Sequence, residues 1–288
     1  MNCFNGEAFL HQAIASVIAQ TLSDWEIVFW DNQSTDSSAA IVNSYDDQRI
    51  LYYYAPTHTL LDEARNCAIE KASGQLLAFL DVDDWWLPEK LEWQVAYFSD
   101  PNVSMVYGNY WVSNENKGSK RVAYKTILPA GYILDQLLED YRVGLLTLML
   151  RRSYLTSSTR PFDPGYHIIG DFDLVIRLAS KYKVASVQAP IAVYRIHVDN
   201  ETTLRKGKHI DELTVWCREM SQHPIIGRSQ GFEYVTLRTE YINALGALLN
   251  GERLQAFKLF KSMRLGKHKL RLFVALLLPV IAIKQIKH

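Results

Sequence analysis

The sequence predicts an α/β protein in which helices flank a mostly parallel β-sheet. The first observation is that short apolar segments alternate with amphipathic helical segments at intervals of roughly 20–30 residues, which is the pattern of consecutive βαβ units. The second is that each apolar segment stops abruptly at polar residues, as a buried parallel strand does where it enters a loop. Beyond about residue 205 the pattern is helical. We therefore predict an α/β domain over 1–205 and a helical extension over 206–288.

The elements of the first half follow from apolar runs for strands and from apolar residues three and four positions apart for helices. The predicted strands are 27–30, 50–54, 75–80 and 103–107. The predicted helices are 6–20, 36–45, 62–72 and 88–98, the second capped by Ser34 or Asp36 and the last begun by Pro88. Residues 1–6 have the pattern of a loop that follows a strand. We therefore expect the opening strand to be missing, with the true start upstream or the chain shortened.

The second half is less regular. Between residues 108 and 170, strands are expected near 121–127 and 146–151, and a helix near 131–140. A helix is then predicted from Asp171 to about Lys181, followed by a strand near 184–188. This arrangement continues the α/β pattern up to the helical extension.

The composition is that of a folded globular protein. Hydrophobic residues make up 48% of the 288 residues, which excludes a disordered chain. Lys+Arg and Asp+Glu both total 31, so no overall positive charge directs the protein to nucleic acid. Three widely spaced cysteines predict reduced thiols in a cytoplasmic protein. No apolar run reaches the ~20 residues that a membrane-spanning helix needs.

The strongest candidate for a site is an acidic run directly after a predicted strand. Asp81, Asp83 and Asp84 lie within four residues, where the carboxyl end of the strand enters a loop. Open α/β sheets bind ligands at these strand ends. Clustered carboxylates repel one another, and a divalent cation between them and a diphosphate offsets that repulsion. The alternative interpretation is an acidic loop that caps the helix beginning at Pro88.

Five further residues are weaker candidates when each is taken alone. Asp31 and Asn32 follow a strand, where either side chain can pair with a base edge or simply cap the next helix. Arg65 lies on a helix and can reach a phosphate or remain solvated. Asp171 opens a helix, where a carboxylate is a possible general base or interacts with the helix dipole. His197 is equally compatible with a structural role.

Taken in order, these segments resemble the family 2 glycosyltransferases, which are inverting enzymes of the GT-A fold. The matching segments are Cys3-Phe4-Asn5-Gly6-Glu7, Glu26-Ile27-Val28-Phe29-Trp30-Asp31-Asn32-Gln33-Ser34-Thr35-Asp36, Ala64-Arg65-Asn66, Ala72-Ser73-Gly74-Gln75, Phe79-Leu80-Asp81-Val82-Asp83-Asp84, Pro88-Glu89-Lys90-Leu91-Glu92 and Gly170-Asp171-Phe172-Asp173-Leu174-Val175-Ile176-Arg177-Leu178. Each segment is weak, but the ordered set is specific and covers about residues 2–200.

The resemblance implies a role for each matching residue. The residues that would hold a nucleotide-sugar are Phe4, Asp31, Asn32, Arg65 and Asp81. The residues that would hold Mn²⁺ or Mg²⁺ are Asp81, Asp83 and His197. Asp171 would be the base that deprotonates the acceptor hydroxyl in a single inverting displacement. Two departures from the family pattern matter: Asn32 stands where some members have an aspartate that contacts uracil, and Gly170 stands where the pattern has a glutamate.

The resemblance therefore implies an enzyme that transfers a sugar from a nucleotide-sugar, with UDP the expected nucleotide, to a cell-surface glycan or its lipid-linked precursor. Two other classes of protein are compatible with parts of the sequence. The absent opening strand is compatible with a degraded, membrane-docked protein that binds nucleotide-sugars without turnover, but the retained acidic run and Asp171 argue against it. A phosphatase of the haloacid dehalogenase type also has a D-x-D segment, but at its first strand, whereas Asp81 follows two βα units.

The C-terminal tail is basic and apolar. From Arg253 to His288 there are nine Lys or Arg residues and no Asp or Glu, so the rest of the chain is acidic. Residues 272–283 form an uncharged run of ~18 Å as a helix, too short to cross the bilayer. We therefore predict that residues 253–288 attach the protein peripherally to the inner face of the cell membrane; the alternative is a core helix packed on the rest of the protein.

Overall fold

The structure, a computed structural model, describes residues 1–155, 160–197 and 206–278. The chain divides into two compact units. The first comprises Met1–Ile133 and Tyr141–Leu204, and the second comprises Leu134–Asp140 and Arg205–His288. The short helix within 134–140 therefore belongs to the second unit although it is enclosed in the sequence of the first.

The first unit begins with a parallel three-stranded sheet. Its strands, in spatial order, are β1 (Asn2–Cys3), β2 (Ile27–Asp31) and β3 (Ile50–Tyr54). The helices that follow them are α1 (Glu7–Ile18), α2 (Ser38–Asn43) and α3 (Leu61–Lys71). The predicted helix at 6–20 is confirmed: Leu10, Ile14 and Val17 are buried on one face. They pack against a core that includes Phe29 of β2, because period-3.6 spacing brings these side chains to one side.

The expectation that the opening strand is missing needs correction. Residues 1–6 are not a loop throughout: Asn2 and Cys3 pair in parallel with Trp30 and Asp31 of β2. The polar start hid this strand from sequence analysis, because two residues are too few to show an apolar run. Only after Cys3 does the chain enter the predicted loop.

The second sheet of this unit is mixed. Its strands are β4 (Leu76–Ala78), β5 (Trp85–Trp86), β6 (Val103–Asn114), β7 (Ser119–Val122), β8 (Met149–Arg151) and β9 (Lys183–Ile196). The spatial order is β4-β8-β6-β9-β5, with β7 paired to β6. Only β6 and β9 run parallel; the other pairs are antiparallel. The α/β prediction is confirmed, but the mostly parallel arrangement holds only for the β1–β3 sheet.

The two central strands, β6 and β9, are much longer than the sequence predicts. Register shifts between Gly108 and Tyr110 accommodate irregularities that would otherwise end the pairing. Gly108 is required there, because a Cβ at this position would lie 2.5 Å from Cδ1 of Ile191. The extension carries β9 to Ile196 and so delivers the Arg195–His197 segment to the acidic run.

Two further helices of the first unit are α4 (Lys90–Val95), which contacts β9, and α6 (Gly170–Ala179). Both were predicted, and α4 is continued by a 3-10 turn to Ser99. Lys90 is fully buried, its Nζ donating to Gln94 Oε1 at 2.6 Å and lying over the Trp86 ring. Burial lowers its pKa to about 7.

The second unit is helical. Its helices are α5 (Leu134–Glu139), α7 (Lys206–Met220), α8 (Gln230–Leu249), α9 (Arg253–Ser262) and α10 (Lys267–Leu277). The long α8 contacts each of the others. Gly231 permits α8 to approach α5, because a Cβ there would lie 2.7 Å from the carbonyl oxygen of Asp135. No helix in the described part of the chain has the length and apolar character needed to cross a bilayer.

Candidate functional site

The candidate site is built from loops that follow β1, β2 and β4, from one face of α3, and from the beginning of α6. Asp31 ends β2, the acidic run follows β4, and His197 comes directly after β9. Arg65 projects from α3 and Asp171 lies in the first turn of α6. Strand ends and helix starts thus bring together residues that are more than 100 positions apart.

The loops after β1 and β2 are hydrogen-bonded to each other. Gly6 N donates to Ser38 Oγ at 3.0 Å, and Glu7 N donates to Asp36 Oδ2 at 3.0 Å. Asp36 also accepts from Ser38 N through Oδ1, so it satisfies the start of α2 as predicted. Gln33 has a φ of 68°, a left-handed conformation that is uncommon for a residue with a side chain. These contacts fix the chain around Asp31 and Asn32.

Asp31 and Asn32 are fixed by internal hydrogen bonds. Tyr52 Oη donates to Asp31 Oδ2 at 2.7 Å, and Ser34 N donates to Asp31 Oδ1 at 2.7 Å. Asn32 Nδ2 donates to the Thr59 carbonyl at 2.7 Å, while Thr59 N donates to Asn32 Oδ1 at 3.1 Å. Both side chains are buried. Their direct contact with a nucleotide stays a prediction, and it requires exchange of one of these bonds.

Phe4 is the exposed aromatic residue of this region, with 52% of its surface accessible. Its ring contacts His58 edge to face at 4.5 Å between centroids. His58 Nδ1 is in turn 2.8 Å from the Asn32 carbonyl oxygen. An exposed ring held in this way offers a surface on which a base can stack.

Arg65 lies between two carboxylates. Its Nη1 donates to Asp62 Oδ1 at 2.8 Å, and its Nη2 is 3.2 Å from both carboxylate oxygens of Asp81. Arg65 and Asp62 are buried, whereas 40% of the Asp81 side chain is exposed. The guanidinium therefore joins the acidic run to α3 and leaves part of Asp81 open to a ligand.

Asp171 lies close to the same group. Tyr141 Oη donates to Asp171 Oδ2 at 3.3 Å, and burial raises the pKa of Asp171, an effect that the nearby Arg65 charge partly offsets. Next to it, Gly170 is packed against Asp62: a Cβ at Gly170 would lie 2.0 Å from Asp62 Oδ2. No side chain at residue 170 fits while Asp62 occupies this space.

The group carries excess negative charge. One guanidinium, Arg65, contacts Asp62 and Asp81 and interacts electrostatically with Asp171. Burial lowers the pKa of Arg65, but the charges of the three carboxylates outweigh burial and raise that pKa overall. Burial, together with the charges of Asp171 and Asp81, raises the pKa of Asp62 to about 6 despite its ion pair with Arg65. Such a site favours a proton or a further cation.

The acidic run is also held from β9. Arg195 N donates to Asp84 Oδ1 at 2.8 Å, and Arg195 Nε donates to the Asp83 carbonyl at 2.8 Å. His197 Nε2 lies 3.1 Å from Asp83 Oδ2. Burial raises the pKa of Asp83 and raises that of Asp84 still more clearly, with the neighbouring carboxylates adding to both effects.

The side chains of Asp81, Asp83 and His197 provide some of the ligands that a divalent cation needs. Carboxylate oxygens and an imidazole nitrogen are suitable ligands for Mn²⁺, and Asp83 and His197 already converge. Asp81 faces Arg65 in the structure, so within the described residues no three acidic, cysteine or histidine side chains form a ready-made cage. A cation at this place would take its remaining ligands from a diphosphate or water, as Mg²⁺ commonly does.

A small cavity lies beside the group. It measures about 240 Å³ and is lined by Thr59, Leu60, Asp62, Glu63, Pro164, Tyr166 and His167. The lining of the cavity thus combines apolar side chains with two acidic residues of α3, Asp62 and Glu63.

Sequence analysis missed several residues of the site. Asp62 was overlooked although its i, i+3 spacing from Arg65 is typical of a helical ion pair. Arg195 gave no signal of its own, because its contacts with Asp83 and Asp84 arise from the course of β9. Tyr52 and Thr59 had no signal, because their contacts with Asp31 and Asn32 arise from strand pairing and loop geometry.

Comparison with known proteins gives the following similarities. The family model described as Glycosyl transferase family 2 matches residues 1–157, more than half of the chain. The UDP-Glc:alpha-D-GlcNAc-diphosphoundecaprenol beta-1,3-glucosyltransferase WfgD of Escherichia coli is 34% identical over 162 residues, which is 56% of this chain and 62% of that protein. The putative teichuronic acid biosynthesis glycosyltransferase TuaG of Bacillus subtilis is 29% identical, over 52% of this chain and 59% of that protein. The chain thus spans about three-fifths of the length of these relatives.

Two solved structures share the fold at low sequence identity. TarS 1-349 of S. aureus in complex with UDP-GlcNAc has a TM-score of 0.62 at 14% identity, covering 90% of this chain and 78% of that chain. The mannosyltransferase PcManGT of Pyrobaculum calidifontis in complex with GDP-Man and Mn²⁺ has a TM-score of 0.61 at 14% identity, covering 99% of this chain and 77% of that chain.

The raised pKa of Asp62 predicts a pH-dependent stability. Its pKa is raised to about 6 in the folded protein from 3.8, so the contribution of Asp62 to stability is most favourable below pH 4, falls between pH 4 and 6, and stays lower above. Asp62→Asn cannot ionise and should gain roughly 2–3 kcal/mol over the parent at pH 7.5, a gain that disappears at pH 4. Thermal unfolding of the variant and the parent across this pH range measures this difference in stability.

The exposed Asp46 provides the matched control, since Asp46→Asn should show no such trend. A difference between Asp62→Asn and the parent that is the same at pH 4 and pH 7.5 would contradict the assigned electrostatic environment.

Proposed function

Because the chain belongs to glycosyl transferase family 2, we propose that it transfers a sugar from a nucleotide-sugar to a hydroxyl group of a cell-surface glycan or its lipid-linked precursor. The family match confirms the resemblance drawn from the sequence, and the structural similarities confirm the predicted GT-A type of α/β fold. The observation that carries the proposal is the acidic group around Arg65 at the strand ends, which is suited to a cation and a diphosphate.

The donor would lie across the ends of β1, β2 and β4. Phe4 offers a ring for the base, the Asp31-Asn32 loop forms the wall beside it, and Asp81 retains an exposed carboxylate edge. We propose a UDP-sugar: the name of WfgD specifies UDP-Glc, and TarS 1-349 was solved with UDP-GlcNAc. PcManGT was solved with GDP-Man, so the experiment below compares both nucleotides.

Asp81, Asp83 and His197 would hold Mn²⁺ or Mg²⁺. When bound, the metal supplies positive charge that stabilises the departing nucleoside diphosphate. The chain's own contribution is to hold these side chains: Arg65 orients Asp81, and Arg195 fixes the backbone of Asp83.

Asp171 would act as the base in an inverting displacement. It accepts the proton of the acceptor hydroxyl; the oxygen then bonds to the anomeric carbon from the face opposite the diphosphate, and the bond to the diphosphate oxygen breaks. Burial raises the pKa of Asp171, which brings it closer to the pH at which a general base is most effective. Tyr141 Oη donates to one of its carboxylate oxygens and so orients the side chain.

The two alternatives are distinguished by what the protein does with a donor. The family match leaves the phosphatase alternative without support. A protein that binds a nucleotide-sugar without turnover differs from an enzyme in showing no donor hydrolysis and no transfer. We therefore propose a screen of UDP- and GDP-sugars for Mn²⁺-dependent hydrolysis, which needs no acceptor, as the first test.

The helices of the tail carry an exposed apolar stripe. On α10, Leu270, Phe273, Val274 and Leu277 are exposed at helical spacing, whereas Leu272 packs into the core of the second unit. One face of α10 therefore packs within the second unit, and the other face is exposed. The exposed basic residues around the stripe include Lys258, Lys261, Lys267 and Arg271.

We propose that this surface binds an anionic membrane on the cytoplasmic face. Apolar side chains would enter the interface, while each basic residue near an anionic leaflet contributes about 1 kcal/mol. The predicted segment 253–288 extends beyond the stripe, but residues 279–288 lie outside the described part of the chain. An acceptor with a lipid anchor, as the name of WfgD specifies, would be presented at such a surface.

Asp83→Ala should remove metal-dependent donor binding while the protein stays folded, because a cation loses one carboxylate and the partner of His197. Calorimetric titration of UDP in Mn²⁺ measures the affinity, with the exposed Asp46→Ala as matched control. If Asp83→Ala binds UDP in Mn²⁺ as tightly as the parent, the metal assignment is wrong.

Asp171→Asn should keep donor binding and lose transfer. The amide retains the shape of the side chain but cannot accept a proton, so the transfer rate should fall by roughly 10²–10⁴-fold, the usual contribution of a general base. Transfer and UDP affinity are measured on the same preparation. An unchanged transfer rate would remove Asp171 as the base, and an equal loss of UDP affinity would assign it to the donor site.

The tail predicts binding to anionic but not to neutral vesicles. The paired substitution Leu270→Ser and Phe273→Ser should weaken flotation with anionic vesicles, and high salt should release part of the parent protein. Ile127→Ser, which changes an 84% exposed side chain of the first unit, is the matched control. A parent protein that stays in solution with both kinds of vesicle would exclude this surface as a membrane site.

A further inference from the structure

We propose that Asp62 is a positioning residue of the transfer reaction, which holds the Arg65 guanidinium against Asp81 and which depends on Gly170 for the space that it occupies. The proposal rests on the function proposed above. It concerns a residue that matches no segment of the family pattern, and it assigns a reason to the glycine at position 170.

The first step is the pairing of Arg65. Asp62 Oδ1 accepts from Nη1, and the two oxygens of Asp81 face Nη2. Because the guanidinium is planar and rigid, anchoring Nη1 on α3 sets the direction of Nη2. Asp62 is nearly fully buried, so its carboxylate has little freedom to move. Without this anchor, Arg65 is free to turn about Asp81 or toward Asp171.

The second step is the space in which Asp62 lies. A Cβ built on Gly170 would be 2.0 Å from Asp62 Oδ2 and 2.7 Å from its Cγ, distances that exclude any side chain. The family pattern has a glutamate at this position. In this chain the carboxylate of Asp62, on α3, occupies the place where a side chain at position 170 would begin. The same region thus keeps a negative charge, supplied by a different element.

The third step is the effect on the reacting groups. Arg65 is the cation that faces Asp81, which we assign to the donor diphosphate and metal, and its charge acts on Asp171, the proposed base. If the Arg65 guanidinium turns toward Asp81 or toward Asp171, the electrostatic field at both carboxylates changes. Asp62 therefore acts through Arg65 on donor binding and proton transfer, and touches neither the donor nor the acceptor.

The packing is tested by a double-mutant cycle that needs no activity. Gly170→Ala should lower the melting temperature of the parent, because its Cβ meets the Asp62 carboxylate. In an Asp62→Ser background the same change should cost much less, since the shorter side chain frees the space. Gly246→Ala, at a helical glycine with nothing within 4 Å, is the control for the substitution itself. An equal cost of Gly170→Ala in both backgrounds would overturn the proposed packing.

The positioning role is tested with Asp62→Asn, whose neutral amide oxygen would hold Arg65 only through a weaker hydrogen bond than the charge-assisted one of the carboxylate. We expect kcat to fall roughly 10–100-fold, as for other residues that orient a reacting group, while the melting temperature at pH 7.5 does not fall. Calorimetry with UDP and Mn²⁺ should also show weaker binding. Loss of activity without loss of stability is not expected of a residue that only supports the fold.

A relocated carboxylate provides the rescue. Asp62→Ser combined with Gly170→Glu returns a carboxylate to the pattern's position and should recover part of the kcat that Asp62→Ser loses. A parent protein that neither binds UDP in Mn²⁺ nor transfers a sugar would refute the proposed function, and this role with it. A fully active parent and an equally active Asp62→Asn would refute the role of Asp62 alone.

Discussion

A single guanidinium shared among carboxylates determines the character of this site. Arg65 contacts Asp62 and Asp81 directly and acts on Asp171 through its charge. One positive charge cannot balance three ionised carboxylates in a region of low dielectric. Burial, together with the charges of Asp171 and Asp81, raises the pKa of Asp62, whereas burial alone raises the pKa of Asp171 against the opposing charge of Arg65. The site is therefore built to accept additional positive charge, either as protons or as a cation.

The architecture serves to bring these charges together. Residues at the ends of β2, β4 and β9 meet α3 and the start of α6, and the length of β9 is what carries Arg195 and His197 to Asp83. The second sheet is mixed because β8 and β5 pair antiparallel on either side of the parallel pair β6 and β9. Each buried carboxylate has a specified polar partner, which limits the free-energy cost of burying it.

The sequence predicts the local elements well and the long-range contacts poorly. The helix at 6–20 and the strand at 27–30 were recoverable because their apolar spacing is a local property. The mixed sheet could not be predicted from the sequence, because the direction of β8 depends on pairing with strands more than 40 residues away in sequence. The same reason explains the site. Motif spacing indicated Asp81, Asp83 and Asp171, but the packing of Asp62 against Gly170 exists only in three dimensions.

The charge imbalance around Arg65 is tested most directly by counting protons when donor nucleotide and metal bind. Calorimetric titration of UDP with Mn²⁺ near pH 6, repeated in two buffers of different ionisation enthalpy, gives the number released. Burial and the neighbouring carboxylates raise the pKa of Asp62 to about 6, so this carboxyl is partly protonated at this pH, and a cation bound nearby lowers its pKa. We therefore predict that UDP binds only with the metal present and that protons are released. Equal UDP affinity in the presence of a metal chelator, or binding without proton release, would contradict the account.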